Sequence, residues 1–401
     1  MYKIMRKISA VISASMIAVM ALVGFYSLAL PDSYIVPEGG NLMVKTLFSV
    51  SAKPAKNEVT EAFSGETAKE NETLMLFGSV PVKNVSTKTS GRPLLVPCGE
   101  AFGIKLITDG VMVVDLTKSE VSPASQCGIK EGDIIISING EKVRSNGDVA
   151  KIISESKGQA CPVVLRRDGH TRTVSLVPQL SDGKYRAGMW VRDSSAGIGT
   201  ITYFNPSDNS FGGLGHPICD SDTKEILPLS EGTAGEVKIT GCIKSEKGKP
   251  GQLLGEFRNS SSIGDIYENC REGIFGTLNE NPSENTAIPM AFRQEVHTGE
   301  AYILASTDGN KPEKYSVNIE QVNLNDSEHD LVVKVTDERL VEKAGGIVQG
   351  MSGSPIIQDG RLVGAVTHVF IDNPQMGYGI FAETMYRKSS SVSDKTTGLA
   401  G

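Results

Sequence analysis

The segment Gly350-Met351-Ser352-Gly353-Ser354-Pro355 sets a serine between glycines. A hydroxyl presented on such a turn becomes a nucleophile toward a carbonyl once a neighbouring base takes its proton. Glycines let the chain fold tightly enough for the N–H groups of Gly350 and Ser352 to converge on a developing oxyanion. A base is available upstream, where Gly212-Gly213-Leu214-Gly215-His216-Pro217 places a histidine in a second glycine-rich turn. His368, beyond the strand that follows Ser352, is the rival base. His170, His297 and His329 stand in polar, turn-like surroundings and read as solvated. Acyl transfer of this kind is helped by a carboxylate that accepts the second imidazole N–H and fixes its tautomer. Asp337 closes the strand pattern Leu331-Val-Val-Lys-Val-Thr336, and Asp220 and Asp222 lie just after His216. Asp337 reads equally well as the N-cap of a turn or helix at 338–343.

These groups need rigid elements behind them. After Pro355 the chain reads as a β-branched strand, a turn at Asp359-Gly360 and a second strand up to Thr367, a hairpin able to hold the serine turn in place. A strand at 198–204 and a further hairpin lead to His216. A serine between glycines, then proline and a hairpin, resembles the way trypsin-like enzymes present their nucleophile. The order histidine then serine matches the chymotrypsin arrangement. That resemblance implies two β-barrels, and in such a layout the acid shares a barrel with the base, which favours Asp220 or Asp222.

The stretch before this block has its own grammar. Phe102-Gly103-Ile104 and Val111-Met-Val-Val114 read as strands, 122–129 as a turn and a short helix, and 133–138 as a strand ended by the hairpin turn Asn139-Gly140. Val149, Ile152 and Ile153 give 146–156 a helical period, and 163–176 folds back about Asp168-Gly169. The order resembles a PDZ domain over 92–178. That resemblance implies peptide binding by strand addition, with Ala101, Phe102, Gly103 and Ile104 as the loop whose amides hold a carboxylate.

The 401 residues, 39% apolar and with 43 glycines, can bury a core and suit a turn-rich, mainly β protein. The 40 basic and 47 acidic residues leave a net charge of −7 with no basic block, so nucleic acid is not an expected partner. Six scattered cysteines contain no Cys-x-x-Cys pair, and no His-Glu-x-x-His is present, so neither a zinc ribbon nor a zincin is expected and no metal or cofactor is implied. Lys3, Arg6 and Lys7 precede an uncharged run from Ile8 to Leu30, about 35 Å as a helix, which reads as a membrane anchor or a signal segment. The remainder is expected outside the cytoplasm. The chain thus divides into a signal or anchor at 1–30, a linker (51–72) and β-type region within 31–91, a PDZ domain at 92–180, a peptidase domain at 185–390 and a tail at 391–401.

Taken together, the N-terminal segment, the PDZ block, Gly-Leu-Gly-His216-Pro, Val-Thr-Asp337-x-Arg-Leu and Gly350-Met-Ser352-Gly-Ser-Pro running on to Gly-Ala-Val-Thr-His368-Val-Phe resemble the stage IV sporulation protein B family of serine peptidases. The resemblance implies His216, Asp337 and Ser352 as a triad. It also implies cleavage of the chain's own N-terminal region and of a membrane-bound regulator of an intramembrane metalloprotease, in the space between forespore and mother cell. Met351 stands where digestive trypsin-like enzymes carry the aspartate that captures a new N-terminus, so that activation switch is not expected. A quality-control protease of the HtrA type and an inactive membrane-tethered PDZ scaffold are the competing expectations.

Overall fold

The computed structural model describes residues 2–54, 69–117, 122–309, 311–325 and 329–397. Helix α1 (Tyr2–Ala29) has a mean hydropathy of 2.3 with none of that apolar window buried, so it is long and apolar enough to cross a membrane. Next comes a sheet of β1 (Ser33–Pro37), β2 (Met43–Val44), β3 (Val50–Pro54), β4 (Lys69–Leu76) and β5 (Val80–Ser90), ordered β1-β5-β4-β3-β2. The linker expected over 51–72 is thereby corrected at both ends. Val50↔Leu76 through Pro54↔Glu72 are paired residues, because Val50, Leu74 and Leu76 bury one face of this sheet. Residues 55–68 lie outside the described residues.

Strands β6 (Leu94–Pro97) and β7 (Ala101–Leu116) follow. β7 is 16 residues long, against a usual ~5–6, because it serves two bodies. Its C-terminal half belongs to a small α+β module with α2 (Pro123–Gln126), β8 (Ile134–Ile138), β9 (Glu141–Lys142), α3 (Asn146–Glu155), β10 (Cys161–Arg167) and β11 (His170–Leu176). The local signals act as the sequence suggests. Asn139 and Gly140 take φ of 55° and 82°, and Asp168 and Gly169 take 51° and 74°, the left-handed pairs of tight hairpins. Ser145 and Asp148 form a reciprocal capping box on α3, which packs Val149, Ile152 and Ile153 onto Ile135, Val163 and Leu165. A hairpin of β12 (Gln179–Ser181) and β13 (Lys184–Arg186) then leads to β14 (Met189–Phe204), whose first half returns along β7 inside the module.

The other halves of β7 and β14 lie in a barrel with β15 (Ser210–Gly213), β16 (Leu229–Ile243), β17 (Gln252–Cys270) and β18 (Gly273–Leu278). The pairings run full circle, β7–β16–β17–β18–β15–β14 and back to β7. Phe102, Ile104 and Leu106 alternate into its interior with Ile201, Phe211 and Ile274. β19 (Ile288–Pro289) pairs with β6 outside the ring. A second closed barrel is ordered β20-β21-β22-β25-β24-β23, from β20 (Gly299–Ala305), β21 (Glu313–Val322), β22 (Leu331–Val335), β23 (Pro355–Gln358), β24 (Arg361–Phe370) and β25 (Asn373–Phe381). α4 (Glu338–Ala344) joins β22 to the serine turn. α5 (Ala382–Thr397) runs through much of what reads in sequence as a tail.

The mainly β class is as expected, with the two barrels and the PDZ-like module all present. Their arrangement differs from a simple succession, because the module interrupts the first barrel and shares two strands with it. One expectation fails for that reason. Ala101, Phe102, Gly103 and Ile104 do not form a carboxylate-holding loop. They are barrel strand, paired with Ile198, Gly199 and Thr200 of β14 on one edge and with Ala234, Gly235 and Glu236 of β16 on the other. A strand with both edges occupied cannot accept a third.

Candidate active site

The serine turn is built by close approach between the barrels. At Gly353, φ is +99° and an added Cβ would stand 2.1 Å from the Thr200 carbonyl oxygen, so only glycine lets this turn seat on β14. Backbone bonds from Gly353 N to Val366 O (2.7 Å), Ser354 N to Met351 O (2.9 Å) and Met351 N to Val348 O (3.1 Å) tie it to the hairpin behind. Ser352 remains partly exposed, with its Oγ donating to Thr367 O at 2.6 Å. Among the described hydrogen bonds, the N–H groups of Gly350 and Ser352 donate to nothing, as an oxyanion site requires.

The histidine turn meets the same place. Leu214 and Gly215 take φ of 63° and 70° after β15, and a Cβ on Gly215 would stand 2.9 Å from Thr367 Cγ2. His216 therefore lies against β24, its ring centroid 4.5 Å from that of His368. Nδ1 of His216 is 2.8 Å from Pro217 O, an acceptor only, so Nδ1 carries the proton and Nε2 keeps its lone pair. Burial, and then the neighbouring His368, push the His216 pKa down to about 4, so the ring is neutral at physiological pH, as a base must be. His368 is likewise held below its usual value, by burial and then by His329.

No carboxylate reaches this imidazole among the described contacts, and the expected third member is corrected accordingly. Asp337 caps α4, accepting from Arg339 N, Arg339 Nη2 and Ser316 N at 3.1, 2.9 and 3.1 Å. Asp220 is buried in an ion pair with Arg192 and accepts from the amides of Asp222 and Thr223, and Asp222 also holds Arg192 at 2.9 Å. Arg192 and Arg339 are the partners of these carboxylates, and the acceptor at His216 Nδ1 is the Pro217 carbonyl.

His329, which reads in sequence as solvated, lines a cleft beside His368. Its ring lies 3.9 Å from Tyr378, which lies 4.5 Å from Phe370. With His368 and Ile371 they line an open cleft of about 490 Å³. The pairing Val332↔Tyr378 brings His329 there, and no local pattern announces a partner so distant in sequence. Among the described residues no group of three His, Cys, Asp or Glu side chains has the geometry to hold a metal.

The PDZ-like module offers a different groove from the one expected. Residues 189–192 of β14 pair with β7 on one edge and, among the described residues, with no strand on the other, and α3 packs beside β13 and β14. Just before them, the N–H groups of Ala187 and Gly188 donate to nothing among the described hydrogen bonds, while their carbonyls accept from Ala124 N and Thr117 N. Arg186-Ala187-Gly188-Met189 is thus a glycine-containing loop at the head of this edge, which sequence reading did not single out. Its signal was a glycine before an apolar strand, placed after the module's other elements instead of before them.

Two barrels that bring a glycine-flanked serine and a histidine to one strand, with a PDZ module inserted in the first, define a class of serine peptidase architecture. Residues 183–386 match the family model SpoIVB peptidase S55, and the chain belongs to that family. Residues 119–167 match a PDZ domain. Among curated proteins the chain is similar to one described as "Probable periplasmic serine endoprotease DegP-like" of Bartonella henselae (28% identity, 57% of this chain, 42% of that protein). It is also similar to serine protease HTRA1 of Xenopus tropicalis (38% identity, 17% and 15%) and to regulator of sigma-W protease RasP of Bacillus subtilis (41% identity, 14% and 13%). The chain spans less than half the length of the curated relatives it matches.

Proposed function

We propose that the protein is an extracytoplasmic serine endopeptidase in which Ser352 is the nucleophile and His216 the general base. The observation that carries this reading is the convergence on β24: Ser352 Oγ bonds Thr367 O while the His216 ring rests on the next residue, His368. In the reaction Ser352 Oγ leaves Thr367 O for His216 Nε2, gives up its proton there and attacks the scissile carbonyl. The Gly350 and Ser352 amides hold the oxyanion, and the imidazolium then protonates the leaving amine. Membership of the family, the apolar α1 and the likeness to a periplasmic endoprotease support a site of action outside the cytoplasm. The family also supports the finer reading: the substrates are the chain's own N-terminal region and a membrane-bound regulator of an intramembrane metalloprotease, in sporulation. The groove between α3 and residues 189–193, with amides at 187 and 188, is the place for a peptide end or segment.

The test is labelling of the full chain by a fluorophosphonate, followed by its self-processing. Ser352→Ala should abolish both while the fold persists, a loss of about 10⁶-fold in rate for a nucleophile that acts with its base. Undiminished labelling of Ser352→Ala would refute the assignment.

A further inference from the structure

We propose that Thr200 is a positioning residue that holds the oxyanion site in its working shape from the opposite barrel; the inference rests on the assignment of Ser352 as nucleophile. Thr200 is 1% exposed in the middle of β14. Its Oγ1 donates to Gly350 O at 2.7 Å, and its N–H donates to Ser352 O at 3.1 Å. Its own carbonyl accepts from Leu214 N at 3.2 Å, two residues before His216. One residue therefore holds the carbonyls on either side of Met351 and the turn that carries the base.

The peptide planes of the serine turn show why this matters. The two unpaired N–H groups, on Gly350 and Ser352, belong to planes whose carbonyls are bonded, Gln349 O by Leu253 N and Met351 O by Ser354 N. The plane between them carries the Gly350 carbonyl, and the Thr200 hydroxyl is the side chain that fixes it. Holding that plane restricts ψ of Gly350 and φ of Met351, and so fixes the angle between the two flanking planes that present the amides of Gly350 and Ser352. In digestive trypsin-like enzymes a charged aspartate next to the serine anchors this turn. Here that position is Met351, fully buried among apolar neighbours with no charge to offer. The hydroxyl of Thr200 takes over the anchoring, and being part of a barrel strand it is in place without any cut in the chain.

The role separates from a structural one by substitution. Thr200→Val keeps the shape and the backbone donor but removes Oγ1, and Thr200→Ser keeps the hydroxyl. Fluorophosphonate labelling of the full chain in detergent should fall about 10- to 100-fold in its maximal rate for Thr200→Val. The half-saturating reagent concentration should stay within about twofold, and Thr200→Ser should label within about threefold of the parent. Labelling of Thr200→Val at the parental rate, or equal impairment of both variants, would overturn the proposal. If the valine variant does not fold, Thr200→Ala is read in its place against the same serine variant. Absence of labelling in the parent chain would instead overturn the assignment of Ser352, a distinct outcome.

Discussion

At the residue scale, the imidazole of His216 is tuned more by where it sits than by a partner charge. A base must be unprotonated, and burial with His368 alongside pushes its pKa from 6.5 to about 4. The acid limb of kcat/KM for the free enzyme should accordingly fall well below the pH of an ordinary histidine. In His368→Asn the neighbouring positive charge is gone and the ring is less enclosed, so the limb should move to higher pH. A limb near 6.5 in the parent chain, unmoved by the substitution, would show that burial does not govern the base. That the serine and histidine turns belong together was legible in sequence because glycine-lined turns are local and each announces itself. The orienting group was not. Asp337 has the right type at the right kind of strand end, but whether a carboxylate reaches an imidazole or an arginine depends on side-chain packing, and Arg339 is two residues away.

At the element scale, Asp337 is a helix cap. Its carboxylate satisfies the Arg339 amide at the start of α4 and the Ser316 amide within β21. Asp337→Ala should cost about 1 kcal/mol of stability, measured by denaturant midpoint, as loss of an N-cap does. The acid limb of the rate profile should stay where it is, because the Nδ1 proton of His216 goes to Pro217 O. A shifted limb would mean that this carboxylate reaches the base after all. Strands, hairpins and α3 could be read from period and turn chemistry, as Asn139-Gly140 and Asp168-Gly169 show. The assignment of β7 failed for a physical reason. A strand pattern reports which face is buried, not what lies along its edges, and Phe102-Gly103-Ile104 looks the same at an open edge as inside a closed barrel.

At the scale of the whole molecule, the boundary between peptidase and PDZ module runs across two strands, not through a linker. Thr108 and Asp193 mark the crossing, with Thr108 Oγ1 donating to Asp193 O at 3.0 Å. A chain lacking 109–192, with Thr108 joined to Asp193 through a short Gly-Ser turn, keeps all six strands of the first barrel. It should fold and label at Ser352. Removing 92–178 takes away β6 and the barrel half of β7 and should leave the barrel unfolded. Circular dichroism and labelling of the two deletions decide it, and equal behaviour would count against a shared barrel.

The crossing point also carries a mechanical consequence. The register shift between Arg192 and Ser194 takes Asp193 out of the ladder with β7, and the Asp193 carboxylate is fastened to the first amide of α3 by a 2.8 Å bond from Asn146 N. A peptide wedged beside α3 would therefore tug on a cord whose other end is knotted, through Thr200, to the serine turn. Occupancy of the insert and readiness of the hydroxyl would be felt along one length of polypeptide, with no joint between domains to take up the slack.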